Sequence, residues 1–422
     1  MESISALLDL MRLARMQFIQ KSTLPDCIET EANGADADAD DVDARTHMWK
    51  EKTVSYKNIA QTVISILMRV ITVLFNIKLA VDYYQQGQHN YFVWTVVCIV
   101  VPTLVTAFIY AQMCHQDNKF EGGFWEISQT ILLVIFSSFF LRYWNSLIYS
   151  VKCKRSELQG NRDEQLEYYK LTVKEESDVA LIRLFECFMN TAPLKILLIS
   201  IMLTQENQIT DTQIWSVLVY LVNVPWTLGS YNRCIRAVQP MKNKLRYWYM
   251  VPHLCWHFCI SVSRILCITF VTILFPIWTI VACLLHAIIM GFVTYIIERP
   301  QFSGIIGFNN FLFCLALGLI YLFIYIPVKD TPTRNKYALY YAICLVENII
   351  CVVLFIYYAP ESLSKSTALF YTLCTLAIGF YIVGICCMCI YYMYFHPNVK
   401  ARKNINLNIS NEFCKQNLPN DF

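Results

Sequence analysis

Polar and apolar residues segregate along this chain into blocks too long for a soluble fold. Apolar runs occupy about 59–83, 91–113, 124–149, 176–203, 212–232, 248–275, 277–297, 305–328, 337–358 and 367–394. A helix rises 1.5 Å per residue, so each run is long enough to cover the roughly 30 Å of a bilayer's hydrocarbon. The pattern predicts an all-α polytopic membrane domain over 55–397. Before it, residues 1–22 place Ile4, Leu7, Leu8, Met11 and Phe18 at helical spacing, with Arg12, Arg15 and Lys21 off that stripe. That spacing predicts an amphipathic helix lying in the membrane interface. Residues 23–54 are polar and acidic, with an Ala/Asp-rich run at 35–44, and are expected to form a disordered cytosolic linker. Residues 398–422 form a short polar tail.

Charge decides how the runs thread. Lys and Arg are dense in the N-terminal tail, in 150–178, in 233–246, in 329–336 and in the C-terminal tail, and nearly absent from the remaining loops. Basic loops stay cytosolic. If 124–149 crossed fully, the basic loop 150–178 would face outside; if 248–275 alone then crossed fully, everything after it would invert and the basic C-terminal tail would lie outside. Letting both enter and return as half-depth helices removes the conflict. The sequence therefore predicts eight transmembrane helices plus two re-entrant segments, with both tails cytosolic. Non-spanning backbone at this depth must be covered by protein or line a wet cavity. No signal peptide is expected, because the first apolar stretch carries Asp9, Arg12 and Arg15 and no small-residue cleavage site follows.

Composition narrows the chemistry. The chain is 56% hydrophobic and only 15% charged, which excludes an ordinary soluble domain, and its net charge of +3 gives no reason to expect nucleic acid. Most of the 18 cysteines fall inside apolar runs, where they act as small hydrophobes. Cys386, Cys387 and Cys389 cluster near the end of the last run; packing is the preferred account and S-acylation the alternative. His253 and His257 stand at i, i+4 without a third ligand, so no metal site is expected, and no cofactor either. There is no nucleophile elbow, phosphate-cradling loop or His-Glu-x-x-His, so the chain does not read as an enzyme.

Ionisable residues inside apolar runs are the stronger signal. Arg69, Lys78, Arg142, Arg183, Lys195 and Arg264 are joined by Glu186 and Glu347, with Asp82 and Asp178 at segment ends. Each costs about 2.5–3.5 kcal/mol at a helix centre on insertion scales, so they are expected to face inward. Arg183, Glu186 and Asn190, at i, i+3 and i+7, share one helical face. Two accounts compete: ion pairs that fix helix packing, and a hydrated polar pathway. So many charges on several helices favour the pathway. Pro193 and Pro225 are expected to kink their helices.

The stretch Ile182-Arg-Leu-Phe-Glu-Cys-Phe-Met-Asn-Thr-Ala-Pro193 resembles the Arg-Leu-Phe-Glu…Ala-Pro signature of the XK-related proteins. Leu79-Ala-Val-Asp-Tyr-Tyr84, Phe140-Leu-Arg142, Ser230-Tyr-Asn-Arg-Cys-Ile-Arg236, Ser263-Arg-Ile-Leu266 and Tyr391-Tyr-Met-Tyr-Phe-His-Pro397 follow in the family's order. The resemblance implies a plasma-membrane fold of eight spans and two half-membrane segments. It also implies scrambling of phospholipids, phosphatidylserine among them, switched on by an executioner caspase. Arg142, Asp178, Arg183, Glu186 and Arg264 match the family's buried lipid-path charges by position. There are departures: Thr72 and Asn76 stand where the first span is usually acidic, Asn190 and Leu194 replace a Glu and a Gln, and Lys78 and Lys195 are extra. These leave room for a non-scrambling accessory subunit that binds a single-span membrane partner or a second copy.

The linker supplies a candidate switch. Asp40-Asp41-Val42-Asp43 before Ala44 resembles an executioner-caspase site in an unfolded setting, as proteolysis requires. An Asp-rich tail also produces Asp-x-x-Asp by chance, and Asp38 to Asp41 is a second, poorer match.

Overall fold

A computed structural model describes residues 53–116, 141–204, 209–238, 247–298, 307–327, 334–359 and 367–395. The stretch 1–22, the linker to residue 52 with its Asp43 site, residues 117–140 of the first half-depth run and the C-terminal tail lie outside them. Every regular element among the described residues is helical: α1 (Tyr56–Gln85), α2 (His89–Gln116), α3 (Leu141–Leu158), α4 (Arg162–Phe185), a π-helical turn (Glu186–Thr191) leading into α5 (Ala192–Thr204), α6 (Asp211–Val238), α7 (Tyr247–Leu274), α8 (Pro276–Ile297), α9 (Phe308–Ile320), α10 (Arg334–Tyr358) and α11 (Thr367–Ile390), which ends in a second π turn (Tyr391–Phe395). The expected fold class is the one observed: an all-α, multi-pass membrane protein.

By length and composition, α1, α2, the α4–α5 rod, α7, α8, α10 and α11 can each cross a bilayer. The 28-residue α7 has length for a full crossing, so its half-depth placing rests on charge parity and the family resemblance. Two further runs expected to span, those of α6 and α9, do not meet that measure of length and composition. α6 is less apolar because its buried face is polar, and α9 stops after 13 residues, about 20 Å.

The contacts divide the chain into two units. The described part of the first comprises 53–67, 103–116, 141–182 and 237–238. Its core joins Val54, Cys153, Tyr169 and Val173. The basic stretch 150–178, which the sequence places as a loop, is helical on both sides of a turn at Gly160, whose φ of +74° suits glycine. Asn161 starts α4 by accepting the Glu164 backbone N–H, while its amide donates to the Glu164 carboxylate. Asn161 is thus a side-chain N-cap, and Asp163 and Glu164 in the first turn favour the positive end of the helix dipole. Cys153 is fully buried, and burial pushes its thiol up to about 11, which leaves little reactive thiolate. Arg162 is exposed. A cysteine introduced at Arg162 is therefore expected to react with an impermeant maleimide only after permeabilisation, without Cys153 interfering. Labelling of intact cells would refute the cytosolic placing of this turn.

The second unit comprises 68–102, 183–236 and 243 onwards, and α7 packs against α5, α8, α10 and α11. The contacts have identifiable causes. A Cβ on Gly318 would lie 2.1 Å from the Ala287 carbonyl oxygen, and one on Gly291 would lie 2.9 Å from that of Cys314. Ala287-x-x-x-Gly291 and Cys314-x-x-x-Gly318 thus bring α8 and α9 into backbone contact, a small-residue seam that the scarcity of glycine hides in the sequence. Beyond α9 the chain leaves the helix while still enclosed: Tyr321 to Ile326 are all buried. Buried carbonyls there need donors. The Tyr340 hydroxyl donates to the Tyr321 carbonyl (2.8 Å), Arg264 Nε to that of Leu322 (2.8 Å), and the Tyr321 hydroxyl to that of Ile326 (2.9 Å). Phe270, Phe355 and Phe370 stack in series to join α7, α10 and α11.

Candidate functional site

Helix α6 is amphipathic with its polar face turned inward. Gln213, Ser216, Tyr220, Asn223, Thr227 and Ser230 recur every three or four residues and all are buried, while Ile214, Trp215, Leu218 and Val222 are exposed. In a membrane the outward face meets lipid, so the inward face is a seam for polar neighbours. Those neighbours come from α1 and from the rod at 183–204. Gln213 Nε2 donates to the Tyr83 hydroxyl (3.4 Å), Lys195 Nζ donates to Ser216 Oγ, and Thr227 hydrogen-bonds the Cys187 thiol.

The π turn explains how the rod presents its polar groups. Proline has no N–H, so Pro193 cannot serve the carbonyl four residues earlier, and the wider register absorbs the defect. The Ala192 N–H donates to the Cys187 carbonyl, five residues back. Pro193 was expected to kink the helix; the structure places a π turn just before it. All six residues of the turn, Glu186 and Asn190 included, are buried.

Glu186 pairs with Arg69 of α1 at 2.5 Å, and Arg183 also acts on it electrostatically. Thr72 and Asn76 continue the Arg69 face and are buried too. Farther along both helices the seam closes with Leu79 and Tyr83 packed against Leu194, Leu198 and Ile201. Between the ion pair and this plug, Asn76 Oδ1, Asn190 Oδ1, Glu186 Oε2 and the Tyr220 hydroxyl take no hydrogen bond among the described residues. Each such atom costs about 1–3 kcal/mol when dry, so this interior favours polar guests.

The remaining predicted residues fall elsewhere. In the first unit, Arg142 pairs with Asp178 and lies 3.6 Å from Glu175. In the second unit, Arg264 donates Nη1 to Asn348 Oδ1 (2.8 Å) and Nη2 to Glu347 Oε2 (2.7 Å), besides its bond to the Leu322 carbonyl. His286 Nδ1 lies 2.9 Å from the other Glu347 oxygen. The structure thus brings Arg183, Glu186 and Asn190 together and sets Arg264 and Glu347 in a separate node. His253 and His257 are held in an aromatic cluster with Trp256 and Tyr391. Among the described residues, no group of three or more His, Cys, Asp or Glu is placed to hold a metal. Lys78 is exposed on α1.

The α6 stripe carries no charge to announce it, although its spacing is visible in the sequence. Arg69 was noted at membrane depth, but its pairing with Glu186 joins residues 117 positions apart. The Arg-Leu-Phe-Glu…Ala-Pro element now has a physical meaning: Glu186 opens the π turn and Pro193 requires it. The sequence pattern of XK-related proteins matches residues 60–397, most of the chain. This protein belongs to the XK-related family. It is also similar to Cell death abnormality protein 8 of Caenorhabditis elegans, at 23% identity over 283 residues. That alignment covers 63% of this chain and 60% of the relative, so it spans less than two thirds of the relative's length. The matched region of this XK-related protein contains the Arg69–Glu186, Arg142–Asp178 and Arg264–Glu347 ion pairs.

Proposed function

We propose that this XK-related protein is a plasma-membrane phospholipid scramblase, with both tails cytosolic, that exposes phosphatidylserine after caspase cleavage between Asp43 and Ala44. The observation that carries this reading is the buried polar seam between α1, the 183–204 rod and α6, with polar atoms left unmatched at membrane depth. The barrier to lipid flip-flop is the cost of moving a charged headgroup through hydrocarbon, and a polar groove lowers it while the acyl tails stay in lipid. No energy source is required, because transport runs downhill in both directions. Family membership and the name of the worm relative, which refers to cell death, support the link to apoptosis.

Asp43→Ala is expected to abolish cleavage and phosphatidylserine exposure in apoptotic cells, whereas a chain beginning at Ala44 is expected to expose the lipid without a death signal. Annexin staining together with an immunoblot reads both arms. Cleavage and exposure that survive in Asp43→Ala would overturn the switch. A second reading, an accessory subunit holding a single-span membrane partner or a second copy, is favoured by one observation: Arg69–Glu186, Arg142–Asp178 and Arg264–Glu347 are already closed by protein partners. Purified protein in liposomes with fluorescent lipids separates the two, since an accessory subunit alone leaves the lipids unscrambled.

A further inference from the structure

Helices α7 and α11 pack so closely at one level that a Cβ on Gly384 would lie 2.9 Å from the Ile260 side chain. Around this crossing the two helices gather five thiols. Cys259 is buried and Cys387 half-buried, and both lie within electrostatic reach of Cys255, while Cys386 neighbours Cys387. Cys255, Cys386 and Cys389 are exposed, and no other cysteine whose side chain is described is. Packing therefore accounts for the buried thiols of this protein and fails for these three.

Their level and surroundings indicate what meets them. The helix continues through the Tyr391–Phe395 turn, where Met393 and Tyr394 are exposed. Tyrosines mark the headgroup boundary, which puts Cys389 about 7 Å and Cys386 about 12 Å inside it at 1.5 Å per residue. Val251, Ile382, Val383 and Ile390 are exposed nearby, so the thiols open onto an apolar, lipid-facing surface. Lys400, Arg402 and Lys403 follow α11, and Lys242, Lys244 and Arg246 precede α7. Such flanks assign these helix ends to the cytosolic leaflet. A disulfide is disfavoured there by the reducing compartment. A metal site is not formed among the described residues.

We propose that Cys255, Cys386 and Cys389 are S-acylation sites that accept a long fatty acyl chain from an acyl-coenzyme A. The cysteine sulfur attacks the carbonyl carbon of the donor thioester. A new carbon–sulfur bond forms as the bond to coenzyme A breaks, and the thiol proton ends on the departing coenzyme A sulfur, with no change in oxidation state. The attached chain lies on an apolar surface already matched to lipid, beside the point where the C-terminal tail leaves the membrane. The proposal rests on the cytosolic placing of these helix ends and is independent of scrambling.

The test is acyl exchange on the full-length protein from cultured animal cells. Free thiols are blocked, thioesters are cleaved with neutral hydroxylamine, and the released thiols receive a mass tag. The expected result is a hydroxylamine-dependent ladder that disappears in Cys255→Ser/Cys386→Ser/Cys389→Ser and is unchanged in Cys153→Ser. No ladder in the well-expressed wild type, or one undiminished in the triple variant, would overturn the assignment. An epitope tag after Phe422 identifies a failure of orientation: it should be stained only in permeabilised cells, and staining of intact cells would remove the cytosolic placing and the proposal with it.

Discussion

Arg264→Ala is expected to cost about 3–5 kcal/mol of folding free energy, as breaking a buried ion pair typically does. Arg264 is 3% exposed and directs Nε, Nη1 and Nη2 to three different acceptors. One of these, the Leu322 carbonyl, lies just past the C-terminus of α9, where helix carbonyls lack intrahelical donors and the dipole end is negative. Removing the guanidinium strands that carbonyl and Asn348 Oδ1, and leaves the Glu347 charge with His286. Glu347 is one-third exposed, so its share is screened and the lower part of the range applies. Against a total stability of about 5–15 kcal/mol, such a loss is a large fraction. The expected reading is a fall of roughly 5–10 °C in the melting temperature of detergent-solubilised protein, with low surface expression. Arg264→Lys should fall between the two, since an ammonium keeps the charge but cannot present the same planar fork. An alanine variant that melts with the wild type would refute this role for Arg264.

That role was out of reach of the sequence, for a specific reason. Charge and hydropathy locate Arg264 at membrane depth, but the group it serves is a backbone carbonyl at an interruption with no hydropathic signature: 311–328 is apolar throughout, and the first proline after the break is Pro327. The spans with apolar faces were legible because a bilayer leaves a helix no other way to satisfy its backbone. The helical start of α4 was hidden by its charge, though its cap residues are visible at Asn161 and Glu164. The polar seam was half legible. Glu186 and Asn190 stand out by spacing beside Arg183, whereas Ser216, Tyr220 and Thr227 carry no charge to mark them within 212–232. Which charges the fold already uses depends on long-range pairing, and that only the structure shows.

The same distinction decides where a passing headgroup would bind. Arg69, Arg142 and Arg264 are engaged by carboxylates, so a phosphate would compete there with a protein countercharge. Lys195 is different. It is 2% exposed, stands on the seam, and donates to the Ser216 hydroxyl with no carboxylate partner among the described residues. An ammonium has three donors, and one hydroxyl leaves two for an anionic guest. For the fold, this charge is a cost without a countercharge, and methionine fills a similar volume without it. Lys195→Met is therefore expected to keep or raise the melting temperature, the reverse of Arg264→Ala. If the seam carries lipid, the same substitution slows scrambling in liposomes by about tenfold or more, the equivalent of one lost charge-assisted hydrogen bond in the barrier. Lys195→Arg, which retains the charge, should scramble within a few-fold of the wild type. Stable Lys195→Met protein that scrambles at the wild-type rate would remove Lys195 from the path and return the question to the paired arginines. A large loss of stability would instead make Lys195 part of the scaffold, through its bond to Ser216.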